Sequence, residues 1–409
     1  MLACTRDEPD LKSDPDVPGP LELLVLQPTP FCNINCSYCY LPDRQSTRRM
    51  SADTLDKTFH WVFHSGLARD PFTLLWHAGE PLVLPVSFYE AADDLLRKHN
   101  VANLPILQSF QTNATLIDAG WCAFLRRKLF HFGVSVDGPD FLHDRHRRTR
   151  QGRGTFDRVL QGIQLLHENG IPFEVITVLT AESLDYPDEL FDFYQANGIS
   201  SVGFNVEEIE GPHRTSSLQR AGTPERFHRF LTRFLLLAHG ADPPLLVREF
   251  ETSAAALLAP HRGGTNWRTQ ENKPWAILNV DCEGNFSTYS PELLGVASLA
   301  HGGFTLGNVS ADTLEGVIHS ARFRRLEEEI GRGVEMCRAS CAYFPFCGGG
   351  PPANKYFENG TFASTETLFC RLHKKACLDV TLDLLEQRTK TPLAVLRADT
   401  GPQLERAHV

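Results

Sequence analysis

Eleven cysteines stand among the 409 residues, and seven of them fall into two groups whose spacing could do chemistry. The first is Cys32-Asn33-Ile34-Asn35-Cys36-Ser37-Tyr38-Cys39, a C-x3-C-x2-C run. Three thiolates from one short loop can hold three irons of a cubane cluster and leave the fourth iron open to a further ligand. Tetrahedral zinc usually takes a fourth protein ligand, and none lies nearby. The plainer readings are three buried thiols or an incomplete zinc site. Tyr38, just before the third Cys, would present its backbone or its ring to a purine. The second group is Cys337, Cys341, Cys347 and, further on, Cys370. Four thiolates saturate either a four-iron cluster or a structural zinc ion. The glycines at 348–350 would let the backbone approach such a group closely. Cys4, Cys122 and Cys377 read as ordinary thiols, and Cys282 stands alone.

Composition sets the context for these groups. An apolar share of 42% and a charged share of 22% belong to a globular chain. The net charge of −10 argues against a polyanion-tracking surface, so nucleic acid is not an expected partner. No apolar run approaches the roughly 20 residues that span a bilayer, so no membrane partner is expected. Residues 1–20 are acidic and proline-bearing with no apolar core, which reads as a flexible segment and not an export signal. A cytoplasmic location follows, and cysteines there serve metals or catalysis more often than disulfides.

The elements that must position the cysteines show in the periodicity. Short apolar runs at 23–27, 72–76, 106–112, 132–136, 173–179 and 202–206 alternate with helical patterns at 51–64, 86–98, 118–127, 155–169, 188–197 and 224–237. Strands that alternate with helices pair in parallel, because parallel neighbours need a crossover. Six units are too few for a closed eight-fold barrel, so the pattern predicts an α/β fold with a partial (β/α)6 barrel over 21–239. The first cysteines then lie in a βα loop, at the carboxyl end of the first strand, where such folds place chemistry. Residues 240–275 read as an irregular connector, and 276–390 as a second region that opens with a hairpin turning at Glu283-Gly284-Asn285. Helices over about 313–330 and 372–387 flank the second cysteine group, and 391–409 reads as a loosely held tail.

The first motif and the βα units resemble the radical S-adenosylmethionine (SAM) superfamily. That resemblance implies an iron–sulfur cluster on Cys32, Cys36 and Cys39, with S-adenosylmethionine on its open iron. His77-Ala78-Gly79-Glu80-Pro81 matches the family's motif after the second strand, which implies that Ala78, Gly79 and Glu80 hold the methionine ammonium. Gln111-Thr112-Asn113-Ala114-Thr115 and Ser135-Val136-Asp137-Gly138-Pro139, followed by His143-Asp144-Arg145-His146-Arg147, look like the peptide-modifying branch that includes anaerobic sulfatase maturases. By that likeness Tyr38, Ser135 and Arg147 contact the cofactor and Gln111 faces the substrate, while the bland alternative for the His/Arg run is a solvated basic face.

The second group resembles the SPASM extension, which adds auxiliary 4Fe–4S clusters. Here the first spacing is x3 where the family has x2, Pro351 replaces one Cys, and the hairpin strand Gly284-Asn285-Phe286-Ser287-Thr288-Tyr289 carries none. The departures imply one auxiliary cluster, on Cys337, Cys341, Cys347 and Cys370, and so two 4Fe–4S clusters in all. At finer grain the region resembles cyclophane-forming maturases of the Grr/Osc type, which join an aromatic ring of a ribosomal precursor peptide to a β-carbon two residues on. The resemblance implies an external one-electron reductant of the flavodoxin or ferredoxin type. It also implies an auxiliary cluster that accepts an electron and a carboxylate, Asp281 or Glu292, that takes the ring proton. The rivals are formylglycine formation of the sulfatase-maturase kind, thioether formation, and a non-catalytic iron–sulfur or zinc redox protein. Against the first, Ser290 occupies the position of the maturases' base. The last would leave the motifs at successive strand ends without a reason.

Overall fold

The computed structural model describes residues 18–127, 130–258 and 268–390; Cys4, most of the expected N-terminal segment and the expected tail lie outside them. The first two thirds run β1 Leu23–Leu26, α1 Ala52–His64, β2 Phe72–Trp76, α2 Val86–His99, β3 Ile106–Thr112, α3 Ala119–Leu125, β4 Phe130–Ser135, α4 Asp140–His146, α5 Phe156–Glu168, β5 Glu174–Leu179, α6 Pro187–Ala196, β6 Ser201–Val206 and α7 Thr223–Gly240. Strands β1 to β6 lie side by side in sequence order, every neighbouring pair parallel. The α/β fold with its run of βα units is therefore present, and each strand lies within two residues of its predicted position.

Why these segments fold so is visible locally. β2 alternates buried and half-buried side chains, β1 is buried along most of its length, and β4 buries Phe132 and Val134. Ser51 caps α1 by accepting from Thr54 N, and Asp118 caps α3 from Trp121 N. The aromatic rings of Trp76, Tyr89, Phe110, Trp121 and Phe132 pack edge-on, tilted or, for Trp76 with Phe110, stacked into one core between the sheet and its helices.

The connector expected over 240–275 is only partly irregular. It carries β7 Leu246–Val247, which pairs parallel with β6, and α8 Arg248–Leu258. The predicted hairpin is formed by β8 Ile277–Val280 and β9 Asn285–Thr288, with Gly284 at φ +83° in the turn; β10 Gly307–Asn308 pairs with β9. β8 also pairs parallel with β1, so the hairpin extends the sheet at its leading side to ten strands. The helix expected near 313–330 is two: α9 Leu314–Ile318 and α10 Ala321–Ser340, the latter ending at Cys341. After α11 Phe344–Cys347 and α12 Pro352–Asn359, a π-helical stretch Cys370–Ala376 leads into α13 Cys377–Lys390. No described helix is long and apolar enough to cross a membrane.

Candidate active site

The carboxyl ends of the strands surround a cavity of about 350 Å³. Cys32, Cys36 and Cys39 line it, and so do Tyr38, Gly79, Glu80, Gln111, Ser135, Arg147 and Glu292. The structure thus brings together ten of the twelve residues singled out for this site. Ala78 is buried beneath it. Asp281 is not at the cavity: its carboxylate accepts from Glu283 N, Asn285 N and Asn285 Nδ2, which closes the hairpin turn. A turn-forming carboxylate is already satisfied by its own loop, so the expectation that Asp281 takes the substrate proton is corrected.

The cysteine loop is held from two sides. Ala78 and Gly79 turn through positive φ (+64° and +59°), and a Cβ on Gly79 would come within 2.4 Å of Thr29 O. Only glycine lets the approach to Cys32 pass so close to the end of β2, and Glu80 N completes the contact by donating to Phe31 O. On the other side, Asn35 N and Ser37 N donate to Arg148 O and His146 O, and Arg150 donates to Cys32 O through Nε and Nη2. The His/Arg run is therefore no free basic face. His143 is fully buried, and the segment after α4 forms the wall on which the cysteine loop rests.

Burial pushes the Cys36 thiol up to about 11 and that of Cys32 higher still, with Glu80 adding to the latter. Thiols so placed ionise when a metal takes the proton's position, and three sulfurs in one short loop suit an iron–sulfur cubane with an open iron. The donor set fits the group.

Glu80 is buried, and its carboxylate accepts from Leu82 N, Thr112 Oγ1 and Asn113 N. It thereby ties the end of β3 to the end of β2 and keeps one of its roughly four acceptor positions for a ligand. Gln111 Nε2 donates to Ser135 Oγ at 2.8 Å, joining the ends of β3 and β4. Asp137 escaped sequence reasoning as a site residue, although its motif was noticed. It pairs with Arg147 through Nε and Nη2, both at 3.0 Å, and accepts from Tyr38 Oη and Val178 N. Burial alone would raise the Asp137 carboxyl, yet the Arg147 guanidinium holds it below the usual range. Arg147 also lies over the Tyr38 ring at 5.5 Å. Because both charges are buried, removing one strands the other. Asp137→Ala should cost about 3–5 kcal/mol in urea denaturation, and the double change Asp137→Leu with Arg147→Met should recover most of it.

The opposite wall is acidic. Glu207, Glu208 and Glu210 follow β6 and meet Glu292, which follows β9. Glu207 is engaged by Ser217 N and Oγ, while Asn354 Nδ2 of α12 donates to Glu208 at 2.5 Å. Burial raises the carboxyls of Glu208 to about 7 and Glu292 to about 8, the charge of Glu208 lifting the second further; Glu210 is raised well above its ordinary value by burial and by Glu208. Ser290 Oγ donates to Glu292, so a carboxylate stands two residues beyond the position read as Ser290. Sequence reasoning passed over the run Val206-Glu207-Glu208-Ile209-Glu210, although acids at a strand's carboxyl end are a usable signal.

The second cysteine group has its own cavity, about 250 Å³, lined by Cys337, Cys341, Cys347 and Cys370 together. Cys337 and Cys341 share one face at the end of α10, Cys347 ends α11, and Cys370 opens the π-helical stretch. Lys355 is buried and donates to Cys337 Sγ at 3.4 Å, and Lys374 and Lys375 also line the cavity. Burial pushes the Cys347 thiol up and that of Cys370 up to about 11, and the charges of Lys374 and Lys375 pull the other way. The glycines at 348–350 all take positive φ, and a Cβ on Gly349 would meet Val334 at 3.2 Å, so their close approach is to α10. Cys282 lines neither cavity. Cys122 and Cys377 are buried, each sulfur facing a backbone carbonyl.

Comparison with known proteins agrees with this geometry. The family model described as the Radical SAM superfamily matches residues 26–194. An uncharacterized protein of Synechocystis sp. is 42% identical over 373 residues, covering 90% of this chain and 93% of that one. A serine-type anaerobic sulfatase-maturating enzyme of Bacteroides thetaiotaomicron is 24% identical over 357 residues, covering 82% and 84%. The solved structure of native anSMEcpe with bound AdoMet and Cp18Cys peptide superposes with a TM-score of 0.74 at 21% identity, covering 91% of this chain and 99% of that one.

Proposed function

Since this chain belongs to the radical SAM superfamily, we propose that it is a peptide maturase that installs a cyclophane, a carbon–carbon bond between an aromatic ring and the β-carbon of a nearby residue. The observation that carries the proposal is the joining, in one cavity, of three loop thiols and an acidic wall in which burial pushes the carboxyls of Glu208 and Glu292 up to about 7 and about 8. A peptide substrate is supported by the peptide named with the superposed structure.

When bound, S-adenosylmethionine and the cluster on Cys32, Cys36 and Cys39 supply a one-electron cleavage that yields a hydrogen-abstracting carbon radical. The chain's residues do the rest. Tyr38, Gly79, Glu80, Ser135 and Arg147 surround the cofactor's place, and Gln111, bonded to Ser135, fixes the floor between it and the substrate. Joining a ring to a β-carbon removes two hydrogens from the peptide. One leaves by abstraction; the other departs as a proton and an electron. Glu208, with Glu292 beside it, is suited to the proton, since a base works best when its pKa lies near the working pH. Cys337, Cys341, Cys347 and Cys370 would hold the auxiliary 4Fe–4S cluster that takes the electron, and an external flavodoxin- or ferredoxin-type donor would supply the first one. Replacing Glu208 and Glu292 together by Gln should lower crosslinked product by about 10²–10⁴-fold while deoxyadenosine still forms, both read in one reaction by liquid chromatography and mass spectrometry.

A second reading, oxidation of a Ser or Cys to formylglycine, is favoured by the sulfatase-maturating relative and by the carboxylate of Glu292 beside Ser290. Both reactions use the same cavity and differ in product. The test incubates the reduced enzyme with two peptides: a sulfatase peptide bearing Ser or Cys, and an aromatic-rich peptide encoded next to the gene. Loss of two hydrogens from the second, with no hydrazide-reactive aldehyde and a fragmentation gap across the joined residues, is the expected result. An aldehyde on the first would replace the proposal with the second reading.

A further inference from the structure

On the outer layer, away from both cysteine groups, α1 carries Asp56, His60 and His64 at successive four-residue steps, and so on one stripe of the helix. His99, the last residue of α2, stands against that stripe. The rings of His60 and His64 stack at 4.0 Å between centroids, and the His99 ring lies 5.7 Å and 6.4 Å from them. One imidazole nitrogen from each of the three lies within 4.8 Å of the others.

The partners of these rings point the same way. His64 Nδ1 is 2.8 Å from His60 O, and a carbonyl can only accept, so this nitrogen carries the hydrogen and Nε2 keeps its lone pair. His99 Nε2 is 2.7 Å from Asp56 Oδ1. Donation to that carboxylate leaves Nδ1 of His99 as the bare nitrogen. Lys98 Nζ grips the same Asp56 oxygen at 2.8 Å and holds it in place. A carboxylate and a backbone carbonyl behind two imidazoles are the arrangement that orients metal-bound histidines. A buried core role fails as an explanation, because His60 and His64 are both exposed.

We propose that His60, His64 and His99 form a binding site for a borderline divalent transition metal ion, of the zinc or nickel class, which ties α1 to α2. Imidazole nitrogen suits these ions, and neutral rings are required for binding. The 4.8 Å limit on the nitrogen separations is an outer bound for zinc–nitrogen bonds near 2.1 Å, and the exposed His60 and His64 side chains can rotate to close any remainder. The fourth position is open to solvent. This site uses no residue of either cysteine group, and its test does not depend on what the peptide chemistry is.

The test uses cluster-reconstituted protein, so that iron occupies the thiolates, and titrates zinc against a chromophoric chelator. Wild type should bind one zinc ion per chain beyond its iron content. His60→Ala with His64→Ala changes exposed residues only and should keep deoxyadenosine formation while weakening zinc binding at least 100-fold. Asp56→Asn, which removes the carboxylate behind His99, should weaken it about 10–100-fold. Zinc should raise the melting temperature of wild type and leave that of the double variant unmoved. Equal zinc uptake by wild type and the double variant, or none by either, overturns the site.

Discussion

With Cys32, Cys36 and Cys39 all changed to Ala, the protein should form no deoxyadenosine, yet about half of its iron should stay bound. The loop that carries these residues rests on the ends of β1 and β2 and on the segment after α4, whereas the four cysteines of the second group come from α10 and its C-terminal cap, α11 and the π-helical stretch. The two cavities share no lining residue. On the proposed assignment each set of thiolates would bind its own irons, and losing one set would leave the other saturated. Iron analysis and a deoxyadenosine assay on the same reconstituted sample decide the matter. A variant that keeps nearly all its iron, or loses nearly all of it, contradicts two independent cluster sites.

The second large effect falls on product alone. Cys347→Ala should leave deoxyadenosine formation measurable while crosslinked peptide drops below detection. In the proposed reaction cofactor cleavage would use the first cavity and an external electron, but the ring would also have to give up an electron, and the second cavity is where four sulfurs could hold an acceptor. Metal sites also fold the chain around them. The comparison is therefore made on soluble protein of matched circular dichroism, with Cys347→Ser as a partner variant that keeps the volume. A soluble variant without the second cluster that still yields peptide lighter by two hydrogens would show that this site only organises the fold.

Much of this was legible in the residues, for reasons that can be given one by one. The six βα units were readable because each strand buries apolar side chains and each helix repeats its own at four-residue steps. The cysteine groups were readable because ligand spacing is local. What escaped is long-range or too short to show a period. β7 is two residues long, and no pattern separates it from a loop. Asp281 and Glu292 looked equivalent beside the hairpin, but only the turn geometry shows that Asp281 is used by its own loop. Glu207, Glu208 and Glu210 went unnoticed, since Ser217 and Asn354, which bond to Glu207 and Glu208, lie 10 and 146 residues away in sequence. Asp137 was part of a noticed motif, yet its partnership with Tyr38, 99 residues away, has no sequence signature.

The pairing of β1 with β8 bears on how the chain is made. β1 emerges from the ribosome at residues 23–26 and finds β2 soon afterwards, but its other edge is matched only by residues 277–280. At about 5–20 residues per second, that edge stays open for roughly 13–50 seconds of synthesis. An unpaired, buried-type strand edge is a template for wrong partners. The nascent barrel therefore depends on being shielded until the hairpin arrives. Fragments that stop before residue 277 should aggregate even though they contain every ligand of the first cysteine group, and expression trials of the barrel alone would expose that dependence.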